Sequence, residues 1–335
     1  MTALRDLQTL PKGHLHVHFE ATMRPETYAE LGAAQSSSPA LHTDYGDFSD
    51  FQTAYMGLLN ALTTPEAVVR VVDEMAEDAV RDGVMYIELG MGIDLSALVF
   101  GSRRAALEAM CDAIAAAGAR NGIVIRLVVT VDRSGSPERA IEDAELAVEF
   151  ANRGVAALGL ANDERGFPGD GFAEAFRIAK AGGLLSTPHS GELEGPDYIR
   201  TAVEVLHADR VQHGVRVISD PDLIAQLAAS GVCLDVCPTS NVLLGAVEGM
   251  DSHPLRVLLE AGVRCSINAD DPTLLGPSIL DEYELARHEL GLSDEQLAAC
   301  AWSSIDCSAA PDELKTEAHR RIDAWLSAAP NASAA

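Results

Sequence analysis

Eight short apolar runs, separated by longer stretches with helical patterning, set the frame for this chain. The runs are HLHVHF (14–19), VMYIEL (84–89), IVIRLVVTV (123–131), VAALGL (155–160), LLSTPH (184–189), RVQHG (210–214), VCLDVC (232–237) and VRCSINA (263–269). Each has strand length, and most are apolar on both faces, as strands covered on both sides are. Between them lie segments such as PEAVVRVVDEMAEDAVRDG, RRAALEAMCDAIAAAGARNG, FAEAFRIAKAGG, PDLIAQLAASG and PLRVLLEAG. Several begin at Pro or Asp and stop at Gly, the asymmetry expected of helix ends. Eight strand–helix units predict an α/β fold of the (β/α)8, TIM-type barrel class. An open doubly wound sheet is the competing arrangement, and no GxGxxG turn supports it.

Residues 20–83 separate the first two runs, too many for one crossover. An insertion at about 25–75, containing DYGDFSDFQTAYMGLLNALTTPEAV, is therefore expected to lay extra helices over the barrel mouth. Residues 40–62 are a candidate lid. DEQLAACAWSSIDCS and ELKTEAHRRIDAWLSAA read as closing helices at about 293–328, and the tail NASAA as frayed. No linker divides the chain, so residues 1–335 are read as one catalytic domain.

Composition narrows the function. The net charge is −27, with only Lys12, Lys180 and Lys315 as lysines. Such a surface repels phosphate backbones and anionic membranes, so neither a nucleic acid nor a membrane is the expected partner. No run of about 18 apolar residues occurs and the first twelve residues do not read as a secretory signal, so the expected location is cytoplasmic. The six cysteines form no CxxC pair and are read as free thiols.

In barrels of this class the site lies at the C-terminal ends of the strands. Here those ends carry His16-Val17-His18, His189-Ser190-Gly191-Glu192, His213-Gly214 and Asn268-Ala269-Asp270-Asp271. Alone, His213 could be a core histidine, Asp270-Asp271-Pro272 a capped turn and HSGE an ordinary loop. Together they would surround one mouth. Three histidines and a carboxylate suit Zn2+ with one open position, so His16, His18, His189 and Asp270 are the candidate ligands. Glu192, His213 and Asp271 then remain to move protons beside an activated water, as metal-assisted hydrolysis requires. His14, third member of the alternating run, is expected to pack deeper in the barrel.

PKGHLHVH, TPEAVVRVVDEMAEDAVRDGVMYIEL, HSGE, RVQHGVR, DVCPTSN and SINADDP, in that order, resemble the adenosine deaminase family of the amidohydrolase superfamily. The likeness runs over roughly residues 8–290. It implies zinc on His16, His18, His189 and Asp270, and Glu192 as proton donor to purine N1. It implies that His213 orients or deprotonates the water, and that Asp271 faces N7. The implied activity is hydrolytic removal of the 6-amino group of a small-molecule purine. Burial near Asp271 would keep Glu192 protonated, while a nearby zinc opposes this.

The sugar side departs from that pattern. Glu20 stands where the family commonly has the aspartate implied to meet the ribose 5′-hydroxyl, which is similar to the adenine deaminase branch. LANDE puts Asn162 where a glycine is implied to approach N3. DVCPTSNVLLGAV and SINADDPTLLGPSILDEYELA are similar to bacterial adenosine deaminases, and the GLxNDER-like run to deaminases of 6-aminodeoxyfutalosine. Adenosine is therefore the first expectation, a 5′-modified adenine nucleoside the second and free adenine the third. A two-metal cyclic amidohydrolase is disfavoured, because no lysine lies near Gly159-Leu160-Ala161 at the end of the fourth run. A non-catalytic ligand-binding barrel is the rival from another class.

Overall fold

The computed structural model describes residues 4–33, Tyr45 and 48–329. Eight parallel strands follow one another round a barrel: β1 (Lys12–His18), β2 (Val84–Gly92), β3 (Val124–Asp132), β4 (Val155–Ala161), β5 (Leu185–Ser190), β6 (Arg210–His213), β7 (Cys233–Val236) and β8 (Arg264–Ile267). Each pairs with the next in sequence, and all eight coincide with the apolar runs. The seam between β8 and β1 is closed at its upper end. Asp270 N–H donates to His16 O and His18 N–H to Asp270 O, both at 3.1 Å. Asn268 Oδ1 accepts from the backbone N–H groups of Leu15 and His16. A metal-ligand candidate from each end of the chain is thus fixed by the seam itself.

The long gap holds α1 (Pro25–Ala33), α2 (Phe48–Ala61) and α3 (Pro65–Arg81); α2 lies over the mouth with α1 packed against it, while α3 packs on β2 and the helix Arg103–Asn121 at the flank of the barrel. In α3 Thr64 caps the Ala67 N–H and Pro65 opens the first turn. Its buried residues 67, 68, 71, 72, 75, 76 and 79 recur at helical spacing, forming one apolar stripe. In α2, Phe48, Phe51, Ala54, Leu58 and Ala61 are buried, and Gln52, Tyr55, Met56 and Leu59 face the barrel mouth. Of the candidate lid, residues 40–44, 46 and 47 lie outside the described residues, as does the NASAA tail.

Helices Asp294–Asp306 and Asp312–Ser327 end the described chain. The first packs beneath β1, where Ser304 Oγ accepts the Gly13 N–H at 2.8 Å. A Cβ on Gly13 would lie 2.7 Å from Ser304 O, so glycine permits this approach. Inside the barrel, fully buried Arg210 is paired with Glu88 and Asp235, so its charge is compensated there. Among the described residues no helix is long and apolar enough to cross a membrane.

Candidate active site

The strand ends deliver the reactive groups, and the backbone there is unusual. Among the described residues, four non-glycine residues have positive φ, and three belong to this site: Asn162 (87°), His213 (66°) and Asp270 (60°). Such conformations cost of order 1–3 kcal/mol each and persist only where surrounding structure enforces them. Gly191 and Gly214 beside them are also left-handed; a Cβ would fall 2.3 Å from Ile199 and 2.6 Å from Leu234 respectively. The Gly in HSGE and in QHG is thus required by geometry. The φ of Asn162 also accounts for LANDE, since asparagine is among the residues that best tolerate a left-handed position.

His16, His18, His189 and Asp270 converge on one point. His16 Nε2 and His18 Nε2 lie 3.1 and 3.2 Å from His189 Nε2, and 3.1 and 3.3 Å from Asp270 Oδ1. Zinc–nitrogen bonds of ~2.0–2.1 Å in a tetrahedron imply ligand–ligand edges of roughly 3.3–3.4 Å. The observed edges are close to that. His16 Nδ1 faces Asp235 O at 3.2 Å and His189 Nδ1 faces Leu160 O at 3.0 Å. Donation to those carbonyls turns each Nε2 lone pair inward, the orientation a metal needs. Ser240 Oγ donates to the other oxygen of Asp270 at 2.6 Å. Burial opposes the Asp270 charge, but the His16 and His18 imidazoles outweigh it and hold its pKa well below the usual range. The donor set fits zinc.

His14 is not part of this cluster. The β1–β2 register shifts between His14 and Val17, so regular alternation does not run through the three histidines. His14 Nε2 accepts the Ala269 N–H at 3.2 Å.

Glu192, His213 and Asp271 surround the same point. His213 Nε2 is 3.6 Å from Glu192 Oε2 and 3.8 Å from Asp270 Oδ2. Burial pushes the Glu192 carboxyl well above its ordinary pKa, and the charges of Asp270 and Glu164 add to it. Asp271 is also raised well above its ordinary value, first by burial and then by Asp270. Its Oδ1 is buried without a hydrogen-bond partner. Burial, then the neighbouring His16, lowers His213 to about 3.

These groups open into a cavity of about 410 Å³, walled by Phe51, Gln52, Tyr55 and Met56 of α2 and by Leu95 and Leu244. Asn162 lines it. Its side chain accepts from Gln52 at 2.5 Å and donates to Asp132 at 2.9 Å. Glu20 is not among the lining residues. Its Oε2 accepts the Tyr55 hydroxyl at 2.8 Å, and Tyr55 lines the cavity in its place.

Several supporting residues are not singled out by the sequence reading. Glu164 Oε2 accepts three consecutive N–H groups, from Glu192, Leu193 and Glu194, and so fixes the loop that carries Glu192. Buried Arg133 donates to His189 O at 2.5 Å. Glu164, Ser240 and Asn241 lie inside the LANDE and DVCPTSN motifs, so motif membership was the available signal. Arg133 carried none.

A nearly closed parallel barrel with a three-histidine, one-aspartate group beside two buried carboxyls of raised pKa defines a hydrolase of the metal-binding barrel class. The adenosine deaminase profile matches residues 11–325, and the chain belongs to that family. It is a hydrolytic deaminase acting on C–N bonds. It is 41% identical to a putative adenosine/adenine deaminase of Streptomyces coelicolor, over 97% of this chain and 99% of that one. It is 34% identical to an aminodeoxyfutalosine deaminase of Streptomyces avermitilis, over 97% and 94%. Among solved structures, adenine deaminase from Arthrobacter aurescens superposes with a TM-score of 0.87 at 28% identity, covering 95% of this chain and 99% of that one.

Proposed function

We propose that this chain is a zinc-dependent adenine-nucleoside deaminase, converting adenosine and water to inosine and ammonia. The observation that carries this reading is the pairing, in one cavity, of a four-donor group with two carboxyls whose burial pushes their pKa well above the ordinary carboxylate range. His16, His18, His189 and Asp270 hold the metal. When bound there, zinc supplies a water that is a nucleophile near neutral pH.

The chain's own groups do the rest. Glu192 holds a proton and gives it to purine N1, which leaves C6 electrophilic. Asp271, protonated and with Oδ1 unpartnered, donates to N7 and fixes the ring. His213 Nε2 and Asp270 Oδ2, 3.8 Å apart, would flank the attacking oxygen. Ammonia leaves and a 6-oxo purine remains. Asn162 meets the purine edge opposite the amino group, and Glu20 acts on the sugar side through Tyr55. Residues 1–335 work as one domain, with α2 as the cavity's outer wall.

Cavity volume supports a nucleoside over free adenine, since about 410 Å³ is a typical small-molecule site and one bicyclic ring would leave a large part of it to water. A second reading is a nucleoside extended at the 5′ position. It is favoured by the Glu20–Tyr55 contact, which withdraws the carboxylate from a free 5′-hydroxyl, and by the apolar Met56, Leu59 and Leu95 beyond it. Ammonia release from zinc-loaded protein, with adenosine, adenine and a 5′-thioether adenosine side by side, tests both. Adenosine turning over fastest is the expected result. A preference for the thioether selects the second reading, and a preference for adenine contradicts both.

A further inference from the structure

His213 can serve its oxygen in two opposite ways, depending on which ring nitrogen carries the hydrogen. The reading above leaves this open, and the residues behind the ring decide it. His213 Nδ1 lies 2.9 Å from Asn241 Nδ2, and Asn241 Oδ1 lies 3.3 Å from His253 Nε2. His253 Nδ1 in turn accepts the backbone N–H of Leu255 at 3.2 Å. Asn241 is fully buried, and His253 and His213 nearly so.

A side-chain amide can be turned about and an imidazole can change tautomer, but a backbone N–H can only donate. It therefore fixes the direction of the whole chain. His253 Nδ1 must be the acceptor, and the hydrogen of the neutral ring sits on Nε2. Burial, which lowers the His253 pKa to about 4, keeps it neutral. That hydrogen requires an acceptor, so Asn241 presents Oδ1 to His253 and its NH2 group to His213. A donor at Nδ1 excludes a hydrogen there. The His213 hydrogen is left on Nε2, facing the cavity.

From this we infer that Asn241 and His253 are positioning residues that set the tautomer of His213, so that His213 donates to the attacking oxygen and does not take its proton. The inference rests on the proposed deamination for its consequence, though not for its geometry. The carboxylate oxygens that face it, Glu192 Oε2 at 3.6 Å and Asp270 Oδ2 at 3.8 Å, lie beyond hydrogen-bonding distance. Nε2–H is thus free for a ligand oxygen. The proton that the water gives up leaves in the ammonia, by a route that does not include His213.

The direct test is nitrogen NMR of the zinc-loaded protein with 15N-labelled histidine rings, the His213 signals being identified by their loss in His213→Gln. The expected spectrum has a pyridine-type Nδ1 and a pyrrole-type, protonated Nε2. A bare Nε2 overturns the inference. Asn241→Asp keeps the shape but accepts where the amide donated. It should move the hydrogen to Nδ1 and lower kcat roughly 10–100-fold with little change in KM. An unchanged His213 spectrum in that variant also overturns the inference. Should Asn241→Asp not fold, the His253 pair carries the test. His253→Gln retains an N–H for Asn241 and should keep both tautomer and kcat, whereas His253→Leu should lose both. A correct tautomer in a protein that leaves adenine nucleosides intact counts against the proposed function alone.

Discussion

At the floor of the cavity, the candidate reactive groups stand at strand ends, and several are held from behind. Asp235 O and Leu160 O orient His16 and His189, two of the candidate ligands, Ser240 holds Asp270, and Glu164 fixes the Glu192 loop. At the outer wall, the polar groups on α2 are held by side chains of the loops after β1 and β4: Tyr55 by Glu20, and Gln52 by Asn162. The floor is specified by backbone positions that only a few residue types can occupy. The wall is specified by side-chain pairs on an insertion. On the proposed function, chemistry and substrate choice are separated in the fold, and single changes at the wall should alter what is bound without altering what is done.

That contrast can be broken at the floor first. His189→Ala removes one corner of the donor group, so zinc measured by elemental analysis should fall from about one per chain towards none, with turnover lost. Glu192→Gln cannot give up a proton to N1. Its kcat should fall about 10²–10⁴-fold, while calorimetry still finds inosine bound. An unchanged rate of ammonia release would remove Glu192 from the chemistry.

Behind the floor, Glu282 accepts the Thr239 N–H at the start of the turn that carries Ser240 and Asn241. Burial raises its pKa from 4.5 to about 8. The folded chain then holds a proton that the unfolded chain has released between those values. Glu282 therefore erodes stability as pH rises through this window, and its penalty is complete above about pH 8. Glu282→Gln should match the parent protein near pH 4.5 and exceed it increasingly up to pH 8, as read from urea midpoints. A pH-independent gap would show that its charge is not the cause.

The smallest effect belongs to the wall. Tyr55→Phe leaves buried Glu20 short of its hydroxyl partner, a loss of about 1–3 kcal/mol in stability. Its kcat on adenosine should stay within about threefold, and the adenosine-to-adenine ratio of kcat/KM should shift more than kcat does. A kcat loss comparable to that of Glu192→Gln would erase the distinction between floor and wall.

The same distinction governs how much could be read from the sequence. The strands were legible because both-face burial leaves continuous apolar runs. The donor group was legible because barrel sites gather at strand ends. The helices over the mouth followed from the length of the gap alone. The contacts made by Glu20 and Asn162 were not legible, because Tyr55 and Gln52 reach them from a helix far away in sequence. The shift in β1 that separates His14 from His16 also leaves no mark in an alternating HxHxH run. Glu164, Arg133 and His253 act through backbone atoms or through another side chain, and residue type does not announce that.

The central claim is that this donor group, once filled, deaminates an adenine nucleoside. The measurement that addresses it most directly is adenosine turnover during titration of metal-free protein with zinc, following ammonia and inosine together. The account predicts no turnover without metal, then a linear rise of both products to a plateau at about one equivalent per chain. Full activity without metal, or zinc bound at one equivalent with adenosine left unchanged, would contradict it.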